Sequence, residues 1–246
     1  KEWKIEELTP DSSFAGVDFA LISATDAISK EYGPRLGAAG VIVIDDSGVF
    51  RMDPQVPLVV PEVNVAALRS LPRGIVSIPN CTTTPLVMAL KPLHDAVGVK
   101  RVVVTTFQSV SGTGAAAMDE LLDQTRALMA FRDVKAQVYP YQIAFNLLPH
   151  IGSFAESGEC SEEVKIVRET RKILDAPNLR VTSTTVRVPV LRCHSESINV
   201  ELDKPLSPND ARAALAAMPG PFRWFSHRES GGDLILVFVS RAVDAI

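Results

Sequence analysis

The stretch GIVSIPNCTTTPLVMAL, residues 74–90, decides how the chain is read. Gly74–Ile78 is a short, unbroken, β-branched run, the pattern of a strand buried on both faces of a parallel sheet. From Thr83 to Val97 apolar residues recur at helical spacing (Leu86, Met88, Leu90, Leu93, Val97), and Thr82–Thr84 supply capping hydroxyls. Cys81 stands at the junction. A thiol at a helix N-terminus meets free N–H groups and the positive end of the dipole, which favour the thiolate. A nucleophilic cysteine belongs at such a place. The same position also suits a small buried residue, so the spacing alone leaves both readings open.

Upstream, Val17–Ala24, Gly40–Ile44 and Pro57–Val60 repeat the strand pattern, and Thr25–Ala39 has a helical composition, as a βαβ crossover requires. Pro54, Pro57, Pro61, Pro72 and Pro79 place loops and strand ends. Downstream, Lys100–Phe107 predicts a strand, and Thr113–Met129 an amphipathic helix with Met118, Leu121, Leu122 and Leu128 on one side. Ser161–Leu174 reads as a helix with a capping serine, early glutamates and late basic residues. Leu179–Leu202 is strand-rich, Ser207-Pro208 opens a helix to Met218, and Leu234–Val239 is a further strand pattern. The expected fold class is α/β, with two parts meeting near residue 80: residues 1–80 and residues 81–246.

The 246 residues, 46% hydrophobic and 22% charged, describe a globular protein and exclude general disorder. A net charge of −4 argues against nucleic acid or an anionic membrane as partner. No apolar run approaches the roughly 20 residues of a membrane span, and Lys1-Glu2-Trp3-Lys4 opens no secretory signal. Cys81, Cys160 and Cys193 fit neither a disulfide framework nor a zinc site, so a reducing cytoplasm and no metal are expected.

His194 is a candidate base for Cys81, since such a pair need be adjacent only in space. An Arg187, Arg192, His194 cluster in a strand also suits a solvated edge. Cys160 reads as an exposed loop thiol, and Cys193, beside His194 in a strand, would face the opposite side. Gly112-Thr113-Gly114-Ala115-Ala116-Ala117 matches a dinucleotide fingerprint, but Arg132-Asp133-Val134-Lys135 offers no second strand ending in an acid.

Taken in order, these segments resemble the aspartate-semialdehyde dehydrogenase family. The resemblance rests on Val56–Asn64, Pro79-Asn80-Cys81-Thr82-Thr83, Phe107-Gln108-Ser109-Val110-Ser111-Gly112, Ile143-Ala144-Phe145-Asn146, Glu169–Leu174 and Val186–Ser197, and it runs from about Leu8 to Pro219. It implies a partial Rossmann-like parallel sheet, then an α+β catalytic and dimerisation domain of the glyceraldehyde-3-phosphate dehydrogenase-like type. It implies NADP-dependent interconversion of L-aspartyl-4-phosphate and L-aspartate-4-semialdehyde through a cysteine thioester, in lysine, threonine and methionine biosynthesis. Cys81 would be the nucleophile, Gln108 the amide orienting the acyl group and His194 the acid–base residue. Asn80 would line the substrate site, with Arg187 on its carboxylate and Glu162 on its ammonium. Arg51 and Lys165 would hold the leaving phosphate, and Ser111 and Gly112 would lie beside the nicotinamide. Residue chemistry agrees: a dianionic leaving group needs cations, and an α-amino acid needs one acid and one forked base. Glu162 and Lys165, three apart on a helix, share a face, as a surface ion pair would too.

The resemblance also implies a homodimer or homotetramer. The family's glycine-rich phosphate-binding turn does not precede Lys1, so the chain as written is expected to accept an acyl group but to reduce it weakly. An N-acetyl-glutamyl-phosphate reductase-like enzyme and a non-catalytic dimerisation partner are the alternatives.

Overall fold

A computed structural model of the chain describes residues 5–218, 223–230 and 233–239, the last two segments through their backbone. Its contacts divide it into two units: residues 1–59 with 65–79, and residues 60–64 with 80–246.

In the first unit, β1 (Phe19–Ile22), β2 (Ile42–Asp45) and β3 (Ile75–Ser77) form a parallel sheet in that order. Helix α1 (Asp26–Ala38) crosses from β1 to β2 and is capped by the Thr25 hydroxyl. Apolar side chains of both layers make one core: Ile22, Tyr32, Leu36, Val41, Val43, Phe50, Val56 and Ile75. Gly37 lets α1 approach the turn before β3, since a Cβ there would fall 2.2 Å from the Arg73 carbonyl oxygen. The strand expected over Pro57–Val60 is only a bridge. Pro57 O and Val59 N bond Ser77, and Pro61 then turns the chain into the short helix α2 (Pro61–Asn64) of the second unit.

The second unit is built on a mixed sheet of order β5-β4-β6-β8-β7. Its strands are β4 (Val99–Gln108), β5 (Arg180–Arg187), β6 (Ser195–Leu202), β7 (Arg223–Ser230) and β8 (Asp233–Val239). β4 and β5 run parallel and the other pairs antiparallel. Period-two alternation sorts the residues of β4 cleanly. Val102, Val104, Thr106 and Gln108 are buried, as are their partners Glu196, Ile198 and Val200 on β6. Helices α3 (Thr83–Val97), α5 (Ser161–Ile173) and α6 (Pro208–Ala216) pack together with this sheet. The opposite face presents Arg101, Val103, Thr105 and the partly exposed Phe107. Helix α4 (Ala115–Met129) starts later than its sequence pattern predicts, because a 3-10 turn over Val110–Thr113 and Gly114 at φ 100° come first.

Two capping expectations are corrected. Thr82 precedes α3 in a helical conformation without capping it, its hydroxyl donating instead to Asn80 Oδ1 at 2.6 Å. The residue before α5 is Cys160, whose N–H donates to the Glu163 side chain, while the Ser161 hydroxyl accepts from Ser153 N at 3.1 Å. Among the described residues no helix is long and apolar enough to cross a membrane, and no cluster of His, Cys, Asp or Glu is suited to a metal ion.

Candidate active site

Helix α5 turns one face inward, and Glu162, Ile166, Glu169 and Ile173 lie buried along it at spacings of four, three and four. Two of these are carboxylates, and both reach Asn80. Glu169 Oε2 accepts the Asn80 backbone N–H at 2.7 Å, and Glu162 Oε1 accepts Asn80 Nδ2 at 2.8 Å. Asn80 in turn gathers the start of α3. Its Oδ1 accepts from Thr82 N at 2.9 Å and lies 3.8 Å from Cys81 Sγ, and its carbonyl accepts from Thr84 N at 3.2 Å. Cys81 is therefore held at the head of α3 by a buried amide, while its own side chain stays exposed.

Glu162 is the meeting point of several donors. Gln108 Nε2 lies 3.5 Å from its Oε1 and 3.2 Å from Thr106 Oγ1, and Lys165 Nζ donates to Glu162 Oε2 at 3.2 Å. Gln108 sits at the end of β4, in register with Arg187 at the end of β5. Beyond these ends two loops are laced together. Val110 N donates to Val190 O at 2.9 Å, and Ser111 N to Leu191 O at 3.1 Å.

Ser109 ties the two remaining groups to this frame. Its carbonyl accepts Arg187 Nη1 at 2.6 Å, and its N–H donates to His194 Nδ1 at 3.1 Å. Its hydroxyl is also 3.1 Å from Nδ1 and 3.0 Å from Ser111 Oγ. Burial holds the His194 ring below its ordinary pKa, and the Arg187 guanidinium adds to this. A hydrogen bond with the Cys193 backbone and the charge of Glu162 pull the other way. A Cβ on Gly112 would lie 3.2 Å from Arg187 Nη1, a tight contact, and 3.5 Å from His194 Nε2, an ordinary one.

Asn80, Cys81, Gln108, Ser111, Gly112, Glu162, Lys165, Arg187 and His194 thus all belong to the second unit. Arg51 belongs to the first, where it is buried with its Nη2 on Asp46 O at 2.8 Å. Cys160 is not an exposed loop thiol: it is buried before α5, with its Sγ donating to the Ile151 carbonyl. Nor do Cys193 and His194 alternate along a strand. β5 stops at Arg187, β6 starts at Ser195, and Cys193 takes a left-handed conformation at φ 73° between them. Sequence reading missed Glu169 and Ser109. The seven-residue spacing of Glu162 and Glu169 on an otherwise amphipathic helix was a usable signal for the first, whereas nothing local marks Ser109.

The chain matches two family profiles. "Semialdehyde dehydrogenase, NAD binding domain" covers residues 1–71, and "Semialdehyde dehydrogenase, dimerisation domain" covers residues 90–229. It is 49% identical to the aspartate-semialdehyde dehydrogenase of Aquifex aeolicus over 89% of its own length and 65% of that protein's. It is 50% identical to that of Legionella pneumophila over 84% of its length and 60% of the relative's. The chain therefore spans less than two thirds of these curated relatives. Among solved structures, aspartate semialdehyde dehydrogenase II of Vibrio cholerae, complexed with ASA, superposes with a TM-score of 0.86 at 36% identity, covering 94% of this chain and 76% of that one. By sequence over both units and by fold, the chain belongs to the aspartate-semialdehyde dehydrogenase family.

Proposed function

We propose that the protein carries out the phosphorylating aspartate-semialdehyde dehydrogenase reaction, the reductive dephosphorylation of L-aspartyl-4-phosphate to L-aspartate-4-semialdehyde. The observation that carries this reading is one connected set of contacts. Cys81 follows Asn80, Asn80 and Gln108 both donate to Glu162, and Ser109, next to Gln108, binds His194 and Arg187. A nucleophile, an acid–base group, an acid and a forked base are thereby fixed in one scaffold.

Arg187 would take the substrate carboxylate in its guanidinium fork, and Glu162 the α-ammonium, which excludes substrates whose amine is acylated. Asn80 lines the same subsite, and Gln108 orients the acyl oxygen. Cys81 gives its thiol proton to His194, and its sulfur bonds the acyl carbon as the carbon–oxygen bond to phosphate breaks. The departing phosphate would meet Lys165. Ser111 and Gly112, the latter with no side chain to set against Arg187 and His194, would lie beside the nicotinamide end of NADP, which when bound supplies the hydride. When the Cys81 thiohemiacetal collapses to the aldehyde, the departing thiolate recovers its proton from His194.

We further infer a homodimer or homotetramer, formed through the sheet face that carries Val103, Thr105 and Phe107, in keeping with the dimerisation profile matched there. Light scattering at tens of micromolar tests this, and a strictly monomeric protein would refute it. The catalytic reading is tested by phosphate-dependent oxidation of aspartate semialdehyde with NADP, together with mass spectrometry of the acylated peptide. An acyl-cysteine at Cys81 with weak turnover is expected, and Cys81→Ser abolishes both. Turnover of N-acetylglutamate semialdehyde in its place, or acylation at Cys160 or Cys193, would overturn the reading.

A further inference from the structure

Glu162 and Lys165 are assigned to opposite ends of the substrate, yet in the free protein they hold each other. Lys165 Nζ donates to Glu162 Oε2 at 3.2 Å, three residues along α5. Among the described residues no other cation lies within ion-pair distance of Glu162, and no other group bonds Lys165 Nζ. The pair is lopsided: the Glu162 side chain is 8% exposed and that of Lys165 44%. A carboxylate that deep needs a cation beside it. Asn80 Nδ2 and Gln108 Nε2, both on Oε1, are neutral donors, so the charge comes from Lys165 alone. Lys165 carries that charge on a flexible stem whose head can leave into water. An incoming α-ammonium brings the same charge and the same three N–H donors. Two ammonium groups at Oε2 would repel each other, while a phosphate dianion offers Lys165 a partner of twice the charge. We propose that the substrate α-ammonium displaces Lys165 from Glu162 and so releases it to take the phosphate. Lys165 is then a specificity-determining residue as well as a phosphate ligand, because a substrate without the amine leaves it in place. This exchange rests on the roles given above to Glu162 and Lys165.

The exchange has a thermodynamic signature. Either ligand alone must break the Glu162–Lys165 pair, but both together break it only once. Amine and phosphate therefore bind with positive coupling, equal for each by linkage. A partly exposed ion pair is worth about 2- to 5-fold in such an equilibrium. Three measurements on the whole chain test this without turnover. L-2-aminobutyrate carries the α-ammonium and α-carboxylate but no phosphate, and butyrate lacks only the amine. By titration calorimetry, L-2-aminobutyrate should tighten the binding of inorganic phosphate about 2- to 5-fold, and butyrate should not. Trace acetylation with peptide mapping should label Lys165 faster when L-2-aminobutyrate is present. Lys165→Met should bind L-2-aminobutyrate about 2- to 5-fold more tightly than the parent, because the competitor is gone. A lysine that only supported the site would give the opposite sign. Three results would each overturn the exchange while leaving the two assignments standing: phosphate affinity indifferent to the amine, Lys165 labelling unchanged at saturating L-2-aminobutyrate, or weaker L-2-aminobutyrate binding by Lys165→Met. Failure of both L-2-aminobutyrate and phosphate to bind would refute the assignments themselves, and the exchange with them.

Discussion

Asn80→Ala removes the side chain on which both Thr82 and Glu162 depend. Thr82 is fully buried, and its N–H would lose the acceptor it now has at 2.9 Å. An orphaned buried donor costs about 1–3 kcal/mol. Glu162 would lose its 2.8 Å donor while keeping Gln108 at 3.5 Å and Lys165 at 3.2 Å. A hydrogen bond to a charged group contributes about 1.5–3 kcal/mol. Water entering beside the exposed Cys81 recovers part of the sum, so a net loss of about 3 kcal/mol is expected. Asn80→Asp separates the two contributions. It keeps the acceptor for Thr82 but sets a carboxylate against Glu162, and like charges raise the folded pKa of such a pair. A group raised in the folded state stabilises below its unfolded value, about 3.9 for Asp, and that stability is lost as pH rises through the folded value. Asn80→Asp should therefore approach the parent near pH 4 and fall away toward pH 8. Because the chain has two units, global unfolding is not a clean measure. Native-state hydrogen exchange of the β4 amides from Val102 to Thr106 reads the second unit alone. An Asn80→Ala loss under about 0.5 kcal/mol, the scale of a neutral surface change, would refute this account of the scaffold. So would an Asn80→Asp penalty that does not grow with pH.

Other outcomes follow from single contacts. Glu196 is wholly buried opposite Thr106, and burial raises its carboxyl well above the ordinary value. Its contribution is present below the unfolded pKa of about 4.3 and lost as pH rises through the folded one, so Glu196→Gln should flatten the decline by up to about 1.4 kcal/mol per pH unit. Parallel stability profiles from pH 5 to 9 would count against it. Gly112→Ala should leave the unit folded but crowd Arg187, cutting kcat/KM by about 10- to 100-fold; parent-like turnover would show that Arg187 absorbs the contact. Brief alkylation of the native protein with peptide mapping should label Cys81 first, Cys193 next and Cys160 least, following their exposure; labelling of Cys160 at the rate of Cys81 would contradict its burial.

Local pattern in the chain carried most of the secondary-structure elements. Short apolar runs made β1, β2 and β3 legible as strands, and apolar spacing did the same for α3 and α5; the burial on both faces expected of those runs holds for β3, whereas β1 leaves Phe19 and Leu21 exposed. The place of Cys81 between a strand and the head of α3 was legible from a local signature, but that signature does not separate a nucleophile from a small buried residue. The role of Glu162 could be inferred only through family resemblance, since Glu162 and Lys165 alone suit a surface ion pair equally well. Tertiary structure decided what local patterns cannot encode. The Asn80 amide serves Glu162, 82 residues away, and the Ser109 N–H serves His194, 85 residues away. Cys160 is buried because the Ile151 carbonyl lies across its thiol, and Cys193 leaves the strand pattern because its backbone turns left-handed. Periodicity reports which face of an element is covered, whereas the partner that covers a polar atom depends on strand register and loop closure, and these exist only once the sheet of the second unit has formed.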